Sequence, residues 1–168
     1  MGKTKGFTLM ELLVVIAIIG ILASVVLASL GGSRSKARDG RRVSDVQQLK
    51  LALSLYLDST GGYPAGQTSG ANLLSNPAPN PALSPLYISV IPRDPGSNTY
   101  TYQGASVNDT TGVIDGPCTT QPCESYVLRA QLEGSNTALD NDIDGATPVP
   151  SVSGFSCDDA SFYYCVIP

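Results

Sequence analysis

Three groups of residues in this sequence could carry chemistry. The first is one carboxylate, Glu11, the sole charge between Phe7 and Leu30. A charge inside so apolar a run costs about 2.5–3.5 kcal/mol on insertion scales, so it asks for a partner. The second group is Cys118, Cys123, Cys157 and Cys165, all in the last third of the chain. The third is the acidic run Asp140-Asn141-Asp142-Ile143-Asp144-Gly145. No histidine is present, which excludes Ser-His and Cys-His nucleophile systems. Asp158 and Asp159 are adjacent in one loop, which is not the geometry of a glycosidase pair. No glycine-rich phosphate cradle occurs. The sequence therefore reads as a non-enzyme that requires no cofactor.

Four cysteines behind a membrane-targeting N-terminus point to disulfides and a compartment outside the cytoplasm. Cys118-Thr-Thr-Gln-Pro-Cys123 is not a CxxC spacing, and zinc would have to use all four thiolates. Of the three connectivities, the short separations favour Cys118–Cys123 and Cys157–Cys165, because small loops close cheaply. In the acidic run, oxygens alternate and a glycine stands sixth, as in the first half of an EF-hand loop. The twelfth position is Ser151 rather than Glu, so no EF-hand is present. Two readings stay open: a calcium site on Asp140, Asp142 and Asp144, and a solvated acidic turn.

The elements that position these groups follow from periodicity. As a helix, Phe7–Leu30 would be about 36 Å long, enough to cross a hydrocarbon core of roughly 30 Å. It is too long for the apolar core of a secretory signal peptide, and a plain signal anchor leaves Glu11 unexplained. Val43, Val46, Leu49, Leu53, Tyr56 and Leu57 recur at spacings of three and four, and Leu51 and Leu55 widen the stripe. One helix is thus expected from about Phe7 to Ser59, ending at Thr60-Gly61-Gly62-Tyr63-Pro64. Its other face carries Arg34, Lys36, Arg38, Arg41, Arg42 and Lys50 with Asp39 and Asp45. That cluster has three readings: a solvated face, pairing between subunits, and contact with anionic lipid or DNA. Residues 64–98 read as a proline-rich connecting loop. Strands are expected over 99–103, 125–132 and 161–167, from alternation and aromatic or β-branched content.

Charged residues make up only 14% of the chain, against 17 glycines and 12 prolines. This is a loop-rich composition rather than that of a helical bundle. The net charge of −4 argues against a uniformly basic nucleic-acid surface and leaves nucleic-acid contact open only at the basic cluster. The simplest architecture is α+β: the long N-terminal helix packed on an antiparallel sheet of three to four short strands.

The stretch Lys5-Gly6-Phe7-Thr8-Leu9-Met10-Glu11-Leu12-Leu13-Val14-Val15-Ile16-Ala17-Ile18-Ile19-Gly20 resembles the class III leader of type IV prepilins and type II secretion pseudopilins. The resemblance implies the pilin fold. It implies cleavage between Gly6 and Phe7 by a membrane prepilin peptidase, N-methylation of Phe7, and an assembly role for Glu11. It gives four segments: a leader over 1–6, a membrane and polymerisation helix over 7–30, an amphipathic second half over 31–60, and a β-rich domain over 61–168. It also implies a homopolymer driven by an assembly platform and ATPase. The subunit would cross the cytoplasmic membrane once before assembly, with its domain outside, and then enter an extracellular filament or a periplasmic pseudopilus.

In an apolar filament core, Glu11 facing a neighbour's N-terminal ammonium would be paired rather than isolated. The cations after the span, Arg34 to Arg42, would by the positive-inside rule place the C-terminal side in the cytoplasm. The cysteines and the cleavage motif place it outside. Many family members carry a proline where this chain has Ala28, a departure that bears on how the helix could unwind. Tyr63-Pro64 is common in the family, and Ile91-Pro92-Arg93-Asp94-Pro95 resembles a turn of major pseudopilins, some of which bind calcium near the acidic run. The favoured function is a structural subunit of a type IV pilus-like filament. The alternatives are a type II secretion major pseudopilin and a membrane-anchored binding module that does not polymerise.

Overall fold

The computed structural model describes residues 6–69, 83–108, 114–143 and 157–168. By its contacts the chain divides into two compact units, Met1–Ser35 and Lys36–Pro168, each described by itself below. Helix α1 is assigned over Leu9–Thr60. No proline interrupts it, and Gly61, at φ 76°, ends it in the left-handed region that glycine adopts without strain.

In the first unit the large apolar side chains from Phe7 to Leu27 are all exposed, from 45% at Val15 to 82% at Leu9. A contiguous apolar surface of this size is not stable against water and calls for lipid or protein around it. The helix is long and apolar enough to cross a membrane.

In the second unit the strands are β1 (Gln67–Ser69), β2 (Thr101–Val107), β3 (Ile114–Pro117), β4 (Ser125–Gln131) and β5 (Tyr163–Val166). A short turn of helix, α2, spans Leu83–Leu86. The antiparallel order is β1-β2-β4-β5, and β3 pairs with β2 further along the same strand as β1. The register sets Tyr102 opposite Leu128, and Leu128 opposite Val166. Strand alternation then sends Tyr100, Tyr102, Tyr126, Leu128, Ala130, Tyr164 and Val166 into one core with Val46, Leu49, Ala52, Leu53 and Tyr56 of α1. Each large apolar side chain buried there contributes about 1.5–3 kcal/mol. Tyr126 sits between Tyr102, stacked at 5.7 Å, and Tyr63, edge-on at 4.8 Å. Its hydroxyl is buried and has no hydrogen-bond partner among the described residues, a cost that this ring packing offsets.

Two helix positions differ from the periodicity reading. Leu51 and Leu55 are 64% and 50% exposed, whereas Ala52 is buried. The buried stripe therefore runs 46, 49, 52/53, 56, and 51 and 55 fall on the far side of the helix. The sheet also has a second apolar layer on its other face. Val127 and Cys165 are fully buried there, packed with Ile114, Ile143, Cys157, Tyr163 and Ile167. The structure pairs Cys118 with Cys123 and Cys157 with Cys165. The second of these bonds ties the chain leading into β5 to the buried end of Cys165.

The segment after the helix is held closely. The Tyr63 N–H donates to the Cys123 carbonyl at 2.7 Å, and the Cys123 N–H returns to the Tyr63 carbonyl at 3.0 Å. Gly66 N–H donates to Cys118 O at 2.8 Å, and Gly104 N–H to Gly66 O at 2.9 Å. The Tyr102 hydroxyl donates to Pro64 O at 2.7 Å. Residues 63–66 are thus a strap running between β2 and the disulfide loop.

Candidate functional site

The N-terminal site is built on the first turn of α1. Thr8 and Glu11 form a reciprocal cap. The Thr8 N–H and hydroxyl donate to Glu11 Oε2 at 2.9 and 2.8 Å, and the Glu11 N–H donates to Thr8 Oγ1 at 3.2 Å. This is a capping box, with the carboxylate three residues after the capping threonine. It satisfies backbone donors that a helix start leaves without an intrahelical partner. It also fixes Glu11 at the very end of the apolar stretch, beside Phe7, which is 81% exposed. The Thr8-x-x-Glu11 spacing is the local sequence signal for this box, and it gives Glu11 a partner within its own first turn.

The second polar centre lies in the second unit, on the face of α1 that had three open readings. Arg42 is only 1% exposed and is surrounded by carboxylates. Its Nε and Nη2 donate to Asp94 at 2.6 and 3.0 Å, and its Nη1 donates to Asp39 at 2.7 Å and to Glu133 at 2.9 Å. Arg38 forms a two-pronged pair with the same Glu133. The Glu133 N–H donates to Asp39 at 2.9 Å. Nearby, the Tyr100 hydroxyl donates to Asp45 at 2.7 Å. Asp39, Arg42 and Asp45 are therefore inside the fold rather than on a solvated face: Asp94 in the 92–96 turn and Glu133 just past β4 meet Arg42 and Asp39, and Tyr100 just before β2 meets Asp45.

The electrostatics follow this geometry. Hydrogen bonds to Asp94, then to Asp39 and Glu133, hold Arg42 more firmly protonated than an ordinary guanidinium, against the opposing effect of burial. Burial pushes the Asp94 carboxyl up, but the Arg42 and Gly96 donors outweigh it and keep it below the usual carboxylate range. Glu133 is lowered to about 2, chiefly by its Arg38 hydrogen bond.

A depressed carboxylate contributes stability that is full above its unfolded pKa and disappears as pH falls through the folded one. Melting temperature is therefore expected to hold steady above about pH 4.5, the unfolded carboxylate range, and to fall between there and the Glu133 value of about 2. Circular-dichroism melts across pH 2–7 check this, and Glu133→Gln should flatten the acid limb.

Asp140 is exposed, and Asp142 accepts the Cys165 N–H at 3.0 Å, bracing β5. Asp144 lies outside the described residues. Among the described residues no three acidic or thiolate groups come together as a metal centre, and one Asp142 oxygen already holds backbone. Gly6 and Phe7 precede α1, outside regular secondary structure.

Comparison with known proteins completes the picture. Residues 1–27 match the prokaryotic N-terminal methylation motif, and residues 29–115 match type II secretion system (T2SS), protein G. A type II secretion system core protein G of Vibrio cholerae serotype O1 is 38% identical over 105 residues, covering 61% of this chain and 72% of that protein. The namesake protein of Escherichia coli K12 is 38% identical over 102 residues, 58% of this chain and 70% of that one. That of Pseudomonas aeruginosa is 30% identical over 146 residues, 84% of this chain and 93% of its own length. No solved structure matches. With a methylation-type N-terminus, a protein G match over half of its length, and a long helix packed on an antiparallel sheet, the chain belongs to the type II secretion system protein G family, the pseudopilin branch of the pilin fold.

Proposed function

We propose that this chain is the structural subunit of a type II secretion pseudopilus. The observation that carries the reading is the lone carboxylate Glu11, capped at the start of an otherwise uncharged apolar stretch whose large side chains are exposed, in a chain of the protein G family. Cleavage between Gly6 and Phe7 by a prepilin peptidase would create a new ammonium at Phe7, which is then N-methylated and stays charged. Glu11 of one copy would pair with Phe7 of its neighbour and fix the axial register. The capping box keeps the carboxylate hydrogen-bonded until then. The subunit waits in the cytoplasmic membrane through residues 7–30, with the domain and its disulfides outside, until an assembly platform and ATPase add it to the polymer. Its work would be to polymerise, in keeping with its family.

Glu11→Ala tests this. Removing one partner of a desolvated ion pair costs about 3 kcal/mol or more, roughly a hundredfold in association. The expected result is normal membrane insertion with filaments reduced to near absence, scored by shearing and electron microscopy. Normal filaments would sink the assembly role. A pilus is the second reading, favoured by the Cys157–Cys165 loop before the C-terminus. Disrupting the gene separates the two: loss of secreted enzymes marks the pseudopilus, and loss of surface fibres marks the pilus.

A further inference from the structure

At the end of α1 lies a cleft of about 180 Å³, lined by Tyr56, Thr60, Gly62, Tyr63, Gln121 and Pro122. Small-molecule sites run to about 300–1,000 Å³, so this one has room for the end of a single side chain rather than a metabolite. Its groups favour a cation. The C-terminus of a helix carries roughly half a negative charge, and the last turn of α1 holds no basic residue to meet it. Tyr56 and Tyr63 supply phenol oxygens as acceptors; their rings are buried and pack against Tyr87 and Tyr126, so the cleft offers oxygens rather than open ring faces. Gln121 donates to the Tyr56 hydroxyl at 3.2 Å and so orients it. Tyr63 lines the cleft while only 5% exposed, and its hydroxyl makes no hydrogen bond among the described residues. The walls are set in advance: the Cys118–Cys123 bond closes the loop bearing Gln121 and Pro122, and Tyr63 is bridged to Cys123 on both sides.

We infer that this cleft takes the guanidinium or ammonium of a second copy of the chain, supplied by Arg34 or Lys36. Both are exposed, and neither makes an ion pair among the described residues, whereas Arg38, Arg41 and Arg42 are each paired within the chain. The inference rests on the polymer proposed above, because only a polymer presents the α1 cations of one copy to the cleft of another. It adds a contact in the globular domain to the one made by Glu11.

The test places the photo-crosslinker p-benzoylphenylalanine at Thr119, exposed on the same disulfide loop and outside the cleft lining, in the full chain in producing cells, followed by irradiation of sheared filaments and mass spectrometry. The expected product is a dimer joined from residue 119 to the segment around Arg34 and Lys36 of another copy. Its yield should fall about fivefold in Arg34→Gln/Lys36→Gln filaments, the loss of one hydrogen bond of roughly 1 kcal/mol. Filaments that form but crosslink elsewhere, or whose crosslink ignores the double substitution, overturn the cleft and leave the pseudopilus reading standing. Absence of filaments from the unsubstituted chain overturns both. Tyr63→Phe, which keeps the ring and the fold, should lower the same crosslink without changing the melting temperature.

Discussion

Arg42→Ala is expected to lower the unfolding free energy by about 3–5 kcal/mol, the usual cost of stranding buried charges by removing their partner. The guanidinium is the hub of three carboxylates, Asp39, Asp94 and Glu133, and two of these are almost wholly buried. Without it, Asp39 and Asp94 would face each other across a cavity the size of an arginine side chain. Thermal melting of the detergent-solubilised protein should show a fall of roughly 10 °C or more. Arg34→Ala, on an exposed position of the same helix, should stay within about 0.5 kcal/mol of the unsubstituted protein. Arg42→Ala and Asp94→Ala should also be strongly non-additive, because each removes the same pair of hydrogen bonds. A loss below about 1 kcal/mol would mean that solvent reaches the cluster.

Gly104→Ala should cost about 2–3 kcal/mol by overpacking. A β-carbon there would lie 2.4 Å from the Pro64 carbonyl oxygen, and 3.2 Å from both Ala65 Cα and Cys123 Sγ. The closest of these is backbone, pinned by the Tyr102 hydroxyl on Pro64 O, so no flexible side chain can give way. Either β2 or the strap must shift. Gly40→Ala is the control. It is interior to α1 and has open space around it, so it should gain about 0.5–1 kcal/mol from helix propensity alone. Equal effects from the two substitutions would contradict the packing of the strap.

Much of the fold could be read from local pattern. The helix was legible because a stretch without proline holds a three-four apolar repeat and ends on glycines, and its observed limits, Leu9–Thr60, lie within two residues of those read. Strands β4 and β5 were legible from alternation and aromatic content. Strands β1 and β3 were not. Gln67-Thr68-Ser69 and Ile114-Asp115-Gly116-Pro117 have no apolar alternation, and pairing along β2 alone makes them strands. The candidate site divides in the same way. Gly6, Phe7 and Glu11 stand out because their spacing is local. The burial of Arg42 does not, because its partners lie 52 and 91 residues away and its own neighbourhood reads as an evenly charged surface. The signals that could have found it are the Asp39–Arg42 spacing on one helix face and an aspartate, Asp94, set in a proline-bounded turn.

Both disulfides are short-range, with sequence separations of 5 and 8. Neither crosses from α1 to the sheet. In the second unit, what ties residues 36–60 to the strands is the aromatic core, the Arg42 cluster and single bonds such as Gln47 to Tyr164 at 2.7 Å. When a tensile load reaches the domain through α1, the covalent cross-links carry none of it. The load path runs through ion pairs and packed tyrosines, so the helix–sheet seam yields first. Each cystine loop would survive intact inside a detached sheet, and the domain's yield force would follow the protonation of Asp94 and Glu133.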